Sequence, residues 1–189
     1  MLDRVRVRLG SYMASLGGAF ARAMPVPTFW TFVGLVFALL AGAAYWSSGS
    51  VGELAAGLLI LVSGFFDIVD GAVARVTGKV SKRGAFLDST LDRLAEVAIY
   101  FGLLAGGFST GLLVLLALSF SLLVSYTRAK ADALGTSLSG VGIGERSERL
   151  LVLALASILG YAFWGVAVVA VIAAFTFVER SVRAARSLS

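Results

Sequence analysis

The chain has 189 residues, of which 59% are hydrophobic and 14% are charged, and its formal net charge is +5. Soluble domains are about one quarter charged, so this composition excludes an ordinary water-soluble fold. The chain contains neither cysteine nor histidine, which excludes disulfides, thiolate zinc sites and histidine acid–base chemistry.

The first predicted element is an amphipathic helix over residues 1–23. Apolar residues recur there at helical spacing, while Arg4 and Arg8 lie off that stripe. This pattern is typical of an interfacial helix that lies along one leaflet, and a frayed tail with the same periodicity is the alternative. The stripe consists of Leu2, Val5, Leu9, Tyr12, Met13 and Leu16. Because the segment lacks a signal-peptide pattern, we expect the chain to be unprocessed.

Six membrane spans follow in chain order. A spanning helix needs about 20 mostly apolar residues, and on that measure the spans are 27–46, 51–75, 84–106, 110–131, 146–160 and 165–187. Two apolar stretches too long for one helix, 97–127 and 150–178, are each divided by a glycine-containing turn, at 106–111 and 160–165. The sequence therefore predicts an all-α integral membrane protein with a single domain over residues 1–189.

The basic residues test this division of the chain. All sixteen lysines and arginines lie in the N-terminal segment, around the second and third spans, around the connection between the fourth and fifth spans, or at the C-terminus. Six spans put all of them on one side, which the positive-inside rule assigns to the cytoplasm together with both termini. We therefore predict a multi-pass plasma-membrane protein with a cytoplasmic active site, whose charge requires no nucleic-acid partner.

Four aspartates carry the predicted chemistry. Asp67 and Asp70 lie near the end of the second span, and Asp88 and Asp92 lie near the start of the third. Spacings of three and four put each pair on one helical face. A carboxylate within a membrane helix costs at least about 2.5 kcal/mol, and converging carboxylates repel, so they need cations. All-oxygen ligands suit Mg²⁺, Mn²⁺ or Ca²⁺, and four carboxylates can hold two such ions.

The residues around the aspartates are suited to a phosphate group. Gly71 directly follows the first pair, and Gly84 shortly precedes the second, so backbone and ligand can approach closely. Arg75 can bind phosphate oxygens through two hydrogen bonds. The alternative is that the aspartates form only local ion pairs with Arg75 and Arg93.

The segment from Asp67 to Asp92 matches DxxDGxxAR(x8)GxxxDxxxD at every fixed position. On this motif the chain resembles the CDP-alcohol phosphotransferase family, including its six-helix architecture with an N-terminal interfacial helix. The resemblance implies that the first three aspartates hold two Mg²⁺ or Mn²⁺ ions, and that Asp92 is the proton acceptor and shares in metal binding. The implied CDP-lipid-binding residues are Gly71, Ala74, Arg75, Ser81, Gly84, Thr28 and Thr31.

Two of those residues, Thr28 and Thr31, come from a second element. Residues 27–31 resemble the family's Pro-Asn-x-x-Thr element, which lies near the nucleotide, but Thr28 stands in place of the asparagine. Pro27 and Thr28 fit an ordinary helix start equally well.

The acceptor alcohol is indicated by residues 126–135 and 144–150. They resemble segments of the bacterial phosphatidylinositol phosphate and archaeal archaetidylinositol phosphate synthases, which implies inositol phosphate as acceptor, CDP-diacylglycerol or CDP-archaeol as donor, and a homodimer. A phosphorylated acceptor needs cations beyond those that balance the aspartates. The predicted acceptor-phosphate residues are Arg128, Lys130, Arg149 and Arg180. The alternative is that they are only positive-inside anchors.

The predicted function is metal-dependent transfer of a phosphatidyl-type group from a CDP-lipid to inositol phosphate, with release of CMP. The same chemistry with glycerol phosphate, serine or free inositol is the alternative within this class. A divalent-cation transporter is the alternative from another class, but the last three spans have apolar interiors, which disfavours a polar path across the membrane.

Overall fold

The structure, a computed structural model, describes residues 2–138 and 140–188, with side chains from residue 12 onwards. Over these residues the chain forms seven α-helices and no β-strand. The helices are α1 (Leu2–Ala23), α2 (Pro27–Trp46), α3 (Gly49–Val76), α4 (Lys82–Ala105), α5 (Gly111–Ala133), α6 (Arg146–Ile158) and α7 (Ala162–Leu188).

Local sequence signals determine where these helices begin and end. Pro27 is the first residue of α2, where its missing N–H needs no partner. The Ser81 hydroxyl caps α4 by accepting a hydrogen bond from the Gly84 N–H at 3.0 Å. Helices α4 and α6 end just before the glycine-containing segments 106–111 and 160–165, so each long apolar stretch is divided into two helices as expected.

Four helices are long and apolar enough to cross a membrane: α2, α3, α5 and α7. Helix α4 falls short of this criterion because it carries charged residues through its first half. Helix α6 has 13 residues, or about 20 Å at 1.5 Å per residue, against a hydrocarbon core of about 30 Å. The structure therefore supports four of the six predicted spans by length and composition.

Helix α3 lies at the centre of the packing that positions the aspartates. It contacts α1, α2 and α6, while α2 also packs on α4, and α7 packs on α5 and α6. The core is built mainly from small and branched apolar residues, whereas many large apolar side chains on the helix surfaces are exposed. Exposed apolar surfaces of this extent are expected of a chain that is surrounded by lipid.

Helix α1 packs directly beside the first aspartate pair. A Cβ atom on Gly17 would lie 2.6 Å from the carbonyl oxygen of Ala72, so only glycine permits this approach to α3. The Phe20 ring packs edge-on against Trp30, with centroids 4.9 Å apart. Of the predicted stripe, Met13 and Leu16 are half-buried, Tyr12 is exposed, and Leu2, Val5 and Leu9 lie outside the described side chains.

The other end of the bundle is closed by polar contacts. The Glu53 carboxylate accepts a hydrogen bond from the Ala162 N–H at 2.6 Å, at the first residue of α7. The hydroxyls of Tyr45 and Ser157 hydrogen-bond in the core and join α2 to α6. These contacts satisfy polar groups that burial would otherwise destabilise.

The crossing of α2 and α4 gives a first prediction. A Cβ atom on Gly102 would lie 2.1 Å from the carbonyl oxygen of Gly42, so Gly102→Ala must push the helices apart. We expect a loss of about 1–3 kcal/mol in stability, measured as a lower thermal unfolding temperature in detergent. Gly64→Ala is the control, since a Cβ there meets nothing within 4 Å. Equal unfolding temperatures for the two variants would contradict this close crossing.

Candidate active site

Three of the four motif aspartates converge in the structure. Asp67 and Asp70 on α3 and Asp88 on α4 each offer a carboxylate oxygen, and these oxygens lie within 4.8 Å of one another. The short connection of residues 77–81 turns the chain back, so the aspartates of α3 and α4 meet at the same end of the bundle. The predicted convergence of the two pairs is therefore seen for these three side chains.

The surroundings of this cluster fit a divalent cation. Asp70 is only 7% exposed, and Asp70 Oδ2 and Asp88 Oδ1 are buried without a hydrogen-bond partner. Carboxylate oxygens left unpaired in a buried site are costly unless a positive charge compensates them. Three converging oxygen ligands are the donor set that Mg²⁺ and Mn²⁺ prefer.

Asp92 is not one of the three aspartates whose oxygens lie within 4.8 Å of one another, and it is paired with Arg146. Its Oδ1 lies 2.7 Å from Arg146 Nη1, and the same guanidinium nitrogen lies 3.3 Å from Asp67 Oδ1. Arg93 also contacts Asp92, at 3.7 Å. Arg146 therefore joins Asp92 to the edge of the three-carboxylate cluster.

A cavity of about 400 Å³ opens beside Asp70 and Asp88, and we call it the motif cavity. All seven residues predicted to bind the CDP-lipid line it: Thr28, Thr31, Gly71, Ala74, Arg75, Ser81 and Gly84. The side chain of Arg75 folds back over Gly71 towards the cluster. The motif cavity thus combines a guanidinium, hydroxyl groups and close-approach glycines in one concave surface.

Lys79 also lines the motif cavity, although no sequence pattern singled it out. Its ammonium group donates a hydrogen bond to the carbonyl oxygen of Pro25 at 2.8 Å. This contact ties the α3–α4 connection to the connection between α1 and α2, so both rims of the cavity are held together.

A second cavity, of about 50 Å³, lies on the other side of Arg146, and we call it the arginine cavity. Its lining residues are Arg93, Arg128, Arg146, Arg149, Arg180, Val124, Ser125 and Glu145. Three of the four residues predicted to bind the acceptor phosphate are thus brought together. The fourth, Lys130, is exposed and does not line this cavity.

Arg149 and Arg180, the two most buried arginines of the cavity, differ in whether they have a free hydrogen-bond donor for a ligand. Arg149 is 1% exposed and is paired with Glu96 at 2.8 Å. It also donates to the carbonyl oxygen of Gly144. Arg180 is 2% exposed, and its Nη2 is buried without a hydrogen-bond partner. Arg180 therefore retains a donor for an anion in the arginine cavity.

The connection between α5 and α6 folds over these arginines. Arg180 Nε donates to the carbonyl oxygen of Val141 at 2.9 Å, and Arg180 Nη1 donates to that of Val124 at 3.2 Å. The glycine-containing connection, for which the sequence suggested no definite role, is thereby fixed above the arginine cavity by buried guanidinium groups.

Sequence reasoning missed Arg93, Arg146 and Glu145 as lining residues of the arginine cavity. A weak signal was present for Arg146, because it lies one helical turn before Arg149 and so shares its face of α6. Glu145 and Arg93 offered no such signal, since their position depends on how helices distant in sequence pack together.

Residues 13–178 match the family model described as CDP-alcohol phosphatidyltransferase. The chain is 36% identical over 188 residues to the archaetidylinositol phosphate synthase of Pyrococcus horikoshii, covering 100% of this chain and 98% of that protein. It is 43% identical over 159 residues to the archaetidylinositol phosphate synthase of Methanothermobacter thermautotrophicus, covering 80% and 79%.

Solved structures of the phosphatidylinositol phosphate synthase of Mycobacterium tuberculosis have a similar fold. The complex with manganese and citrate has a TM-score of 0.74 at 26% identity and covers 91% of this chain and 88% of that one. The structure with CDP-DAG bound has a TM-score of 0.78 at 24% identity and covers 91% and 92%; at this identity the likeness concerns the fold.

The pairing of Asp92 with Arg146 predicts unequal effects on metal binding. We expect Asp70→Asn to weaken Mn²⁺ binding at least about tenfold because it removes a converging ligand. Asp92→Asn should change the affinity less than about threefold, since that carboxylate is engaged by Arg146. Calorimetric titration of metal-free protein in detergent measures both. Equal losses in the two variants would show that Asp92 is an equal member of the metal site.

Proposed function

Because the chain belongs to the CDP-alcohol phosphatidyltransferase family, we propose that it transfers a phosphatidyl-type group from a CDP-lipid to inositol phosphate and releases CMP. The observation that carries this proposal is the position of the aspartates between two cavities. Asp70 and Asp88 line the motif cavity. Arg146, which contacts Asp67 and Asp92, lines the arginine cavity. Donor and acceptor thus meet at the aspartates.

The motif cavity is the proposed site of the CDP group of CDP-diacylglycerol or CDP-archaeol. Arg75 supplies a guanidinium for phosphate oxygens, and the Thr28 and Ser81 hydroxyls line the same surface. Gly71 and Gly84 leave the helix backbones accessible at close range. The lipid chains remain in the bilayer, against the exposed apolar faces of the bundle.

Asp67, Asp70 and Asp88 are the proposed ligands of two Mg²⁺ or Mn²⁺ ions, and Asp92, which is paired with Arg146, is proposed to share in binding to a lesser degree. The unpaired oxygens of Asp70 and Asp88 support this assignment. When bound, such ions neutralise the negative charge of the pyrophosphate and of the departing CMP.

Asp92 is the proposed proton acceptor. Its carboxylate takes the proton of the acceptor hydroxyl as that oxygen forms a bond to the phosphorus nearest the lipid. The bond from this phosphorus to the oxygen shared with CMP breaks, and CMP leaves with the electron pair. Arg146, at 2.7 Å, holds the Asp92 carboxylate between the two cavities during this step.

The arginine cavity is the proposed site of the acceptor's phosphate. Arg180 offers a buried donor without a partner, and Arg128 presents a half-exposed guanidinium at the rim. Arg149 supports the site from behind, because its pairing with Glu96 occupies its donors. Lys130 attracts anions from the exposed surface nearby. Similarity to archaetidylinositol phosphate synthases over the whole chain supports inositol phosphate as the acceptor.

We place this site at the cytoplasmic face of the plasma membrane, in one domain of residues 1–189. All six helices from α2 to α7 would cross the bilayer, with both termini in the cytoplasm and α1 along the inner leaflet. The support is that the lysines and arginines lie in segments that six spans put on one side. Helix α6 is flanked by α3 and α7. These two longer helices cross the bilayer beside it, so α6 need not cover the full lipid thickness by itself. A homodimer is the proposed assembly.

The central test of the proposal is CMP release by purified enzyme with CDP-lipid and Mg²⁺ or Mn²⁺. We expect CMP with inositol phosphate, and at least about 100-fold less with free inositol or serine, because neither carries the phosphate that the arginine cavity binds. Glycerol phosphate carries that phosphate, and we expect less CMP with it because the similarity over the whole chain is to an archaetidylinositol phosphate synthase. Asp88→Asn should abolish turnover. Preference for glycerol phosphate would keep the reaction class and replace the acceptor; no CMP with any acceptor would reject the whole proposal.

The arginine cavity predicts which basic residue affects acceptor binding. Arg128→Gln should raise KM for inositol phosphate about tenfold or more, since a charged hydrogen bond is worth about 1.5–3 kcal/mol. KM for the CDP-lipid should stay unchanged. Lys130→Gln is the matched control, because Lys130 lies two residues away but outside the cavity lining. A larger effect from Lys130→Gln would move the phosphate site to the exposed surface.

A further inference from the structure

Glu145 is the acidic residue among the described side chains that line the arginine cavity. Its Oε1 lies 3.6 Å from Arg180 Nη2 and 3.7 Å from Arg128 Nη1. Both distances exceed those of hydrogen bonds, so the carboxylate balances the two guanidinium charges without saturating their donors. It lies where an anionic ligand of the cavity would lie.

The other charges in the cavity have closer partners. Arg149 is paired with Glu96 at 2.8 Å, and Arg146 is paired with Asp92 at 2.7 Å. Arg93 contacts Asp92 and also donates to the carbonyl oxygen of Ser89. Among the ion pairs of the described side chains, Arg128 and Arg180 depend on Glu145 alone.

The Glu145 side chain can leave the cavity without unfolding α6. It is 40% exposed, so rotation into solvent is open to it. In the capping box at the start of α6, the Glu145 side chain accepts a hydrogen bond from the Glu148 N–H, and the Glu148 carboxylate accepts one from the Glu145 N–H at 2.9 Å. Rotation of the Glu145 side chain gives up the first of these hydrogen bonds, while the second still holds the helix start.

We propose that Glu145 is a specificity-determining residue, an internal carboxylate that occupies the arginine cavity between turnovers and that only a phosphate group displaces. This proposal rests on the proposed function of the cavity as the acceptor-phosphate site. A phosphomonoester carries about −1.5 to −2 charges at pH 7 and three acceptor oxygens, whereas Glu145 carries one charge. The exchange therefore favours the phosphate.

Monoanions and neutral alcohols gain no binding free energy by displacing the Glu145 carboxylate. A small monoanion such as formate has the same charge as Glu145 and must compete with a carboxylate that is covalently attached and hence present at high local concentration. A neutral alcohol would leave Arg128 and Arg180 without a counter-charge. Glu145 thus lowers the affinity for every anion, but excludes the monoanions and neutral alcohols more effectively than the phosphorylated acceptor.

The test is Glu145→Gln, with CMP release measured against inositol phosphate and sodium formate. We expect KM for inositol phosphate to fall about three- to tenfold with kcat nearly unchanged, because the acceptor no longer displaces a carboxylate. Formate should now inhibit competitively against inositol phosphate, since it can take the vacated position. The wild-type enzyme should resist the same formate concentrations.

Glu179→Gln is the matched control, because Glu179 precedes Arg180 but pairs with Arg183 at 2.7 Å outside the cavity. It should behave as wild type, which separates the effect from a general change in charge or ionic strength. A higher KM for inositol phosphate in Glu145→Gln would overturn the proposal, since Glu145 would then bind the acceptor. Equal formate inhibition of wild type and variant would overturn it as well.

A second measurement separates this proposal from the proposed function. Calorimetric titration with inorganic phosphate, without donor or turnover, should give tighter binding to Glu145→Gln than to wild type and Glu179→Gln. If the wild-type enzyme released no CMP with inositol phosphate but this difference appeared, the displacement would stand and the acceptor would be another phosphorylated alcohol. Equal phosphate binding by all three proteins would reject the displacement while leaving the acceptor assay intact.

Discussion

The arrangement of this protein depends on opposite charges, which must neutralise one another at one end of an apolar helix bundle. Asp70 is buried and Asp88 and Asp92 are half-buried, so water stabilises their charges poorly, and mutual repulsion adds to the cost. Arg146 compensates Asp92 and partly Asp67. Asp70 Oδ2 and Asp88 Oδ1 have no hydrogen-bond partner in the protein. The same deficit of positive charge that makes the site unfavourable as a protein core makes it a receptor for divalent ions.

Two arginines of α6 neutralise carboxylates of α4 through two successive ion pairs. Arg146 and Arg149 are three residues apart and reach Asp92 and Glu96, which are four residues apart on α4. Each of these two ion pairs joins α4, which carries the second aspartate pair, to α6, which borders the arginine cavity. Breaking a buried pair by removing one partner is strongly destabilising. The Arg149–Glu96 pair therefore fixes the geometry, while the Arg146–Asp92 pair orients the Asp92 carboxylate.

Much of this could be predicted because it depends on spacing within short segments. The convergence of Asp67 and Asp70 with Asp88 follows from helical periodicity and one short turn. The helix ends followed from glycine-containing turns. By contrast, Asp92 is paired with Arg146, which lies 54 positions later in the chain, and sequence periodicity says nothing about such a contact. The exposure of Lys130 depends likewise on how α5 packs against α7.

The short fifth span was predicted from the glycine-containing turn that follows it, and α6 ends two residues before the predicted boundary. The contacts of Glu145 with Arg128 and Arg180 were hidden, since an acidic residue before a helix normally suggests only a cap. These contacts depend on side chains from α5, α6 and α7 that meet only in the folded chain. Local patterns thus predicted the residues of the motif cavity, and tertiary packing determined those of the arginine cavity.

The link between α5 and α6 is anchored by its main chain. Because Arg180 and Arg149 hold the carbonyl groups of Val141 and Gly144, the number of residues from Val141 to α6 is effectively fixed. Gly135, by contrast, is exposed just after α5 ends. Natural length variation among such enzymes should therefore accumulate near Gly135 and be rare after Val141, where one added residue would displace the carbonyl groups that Arg180 and Arg149 bind.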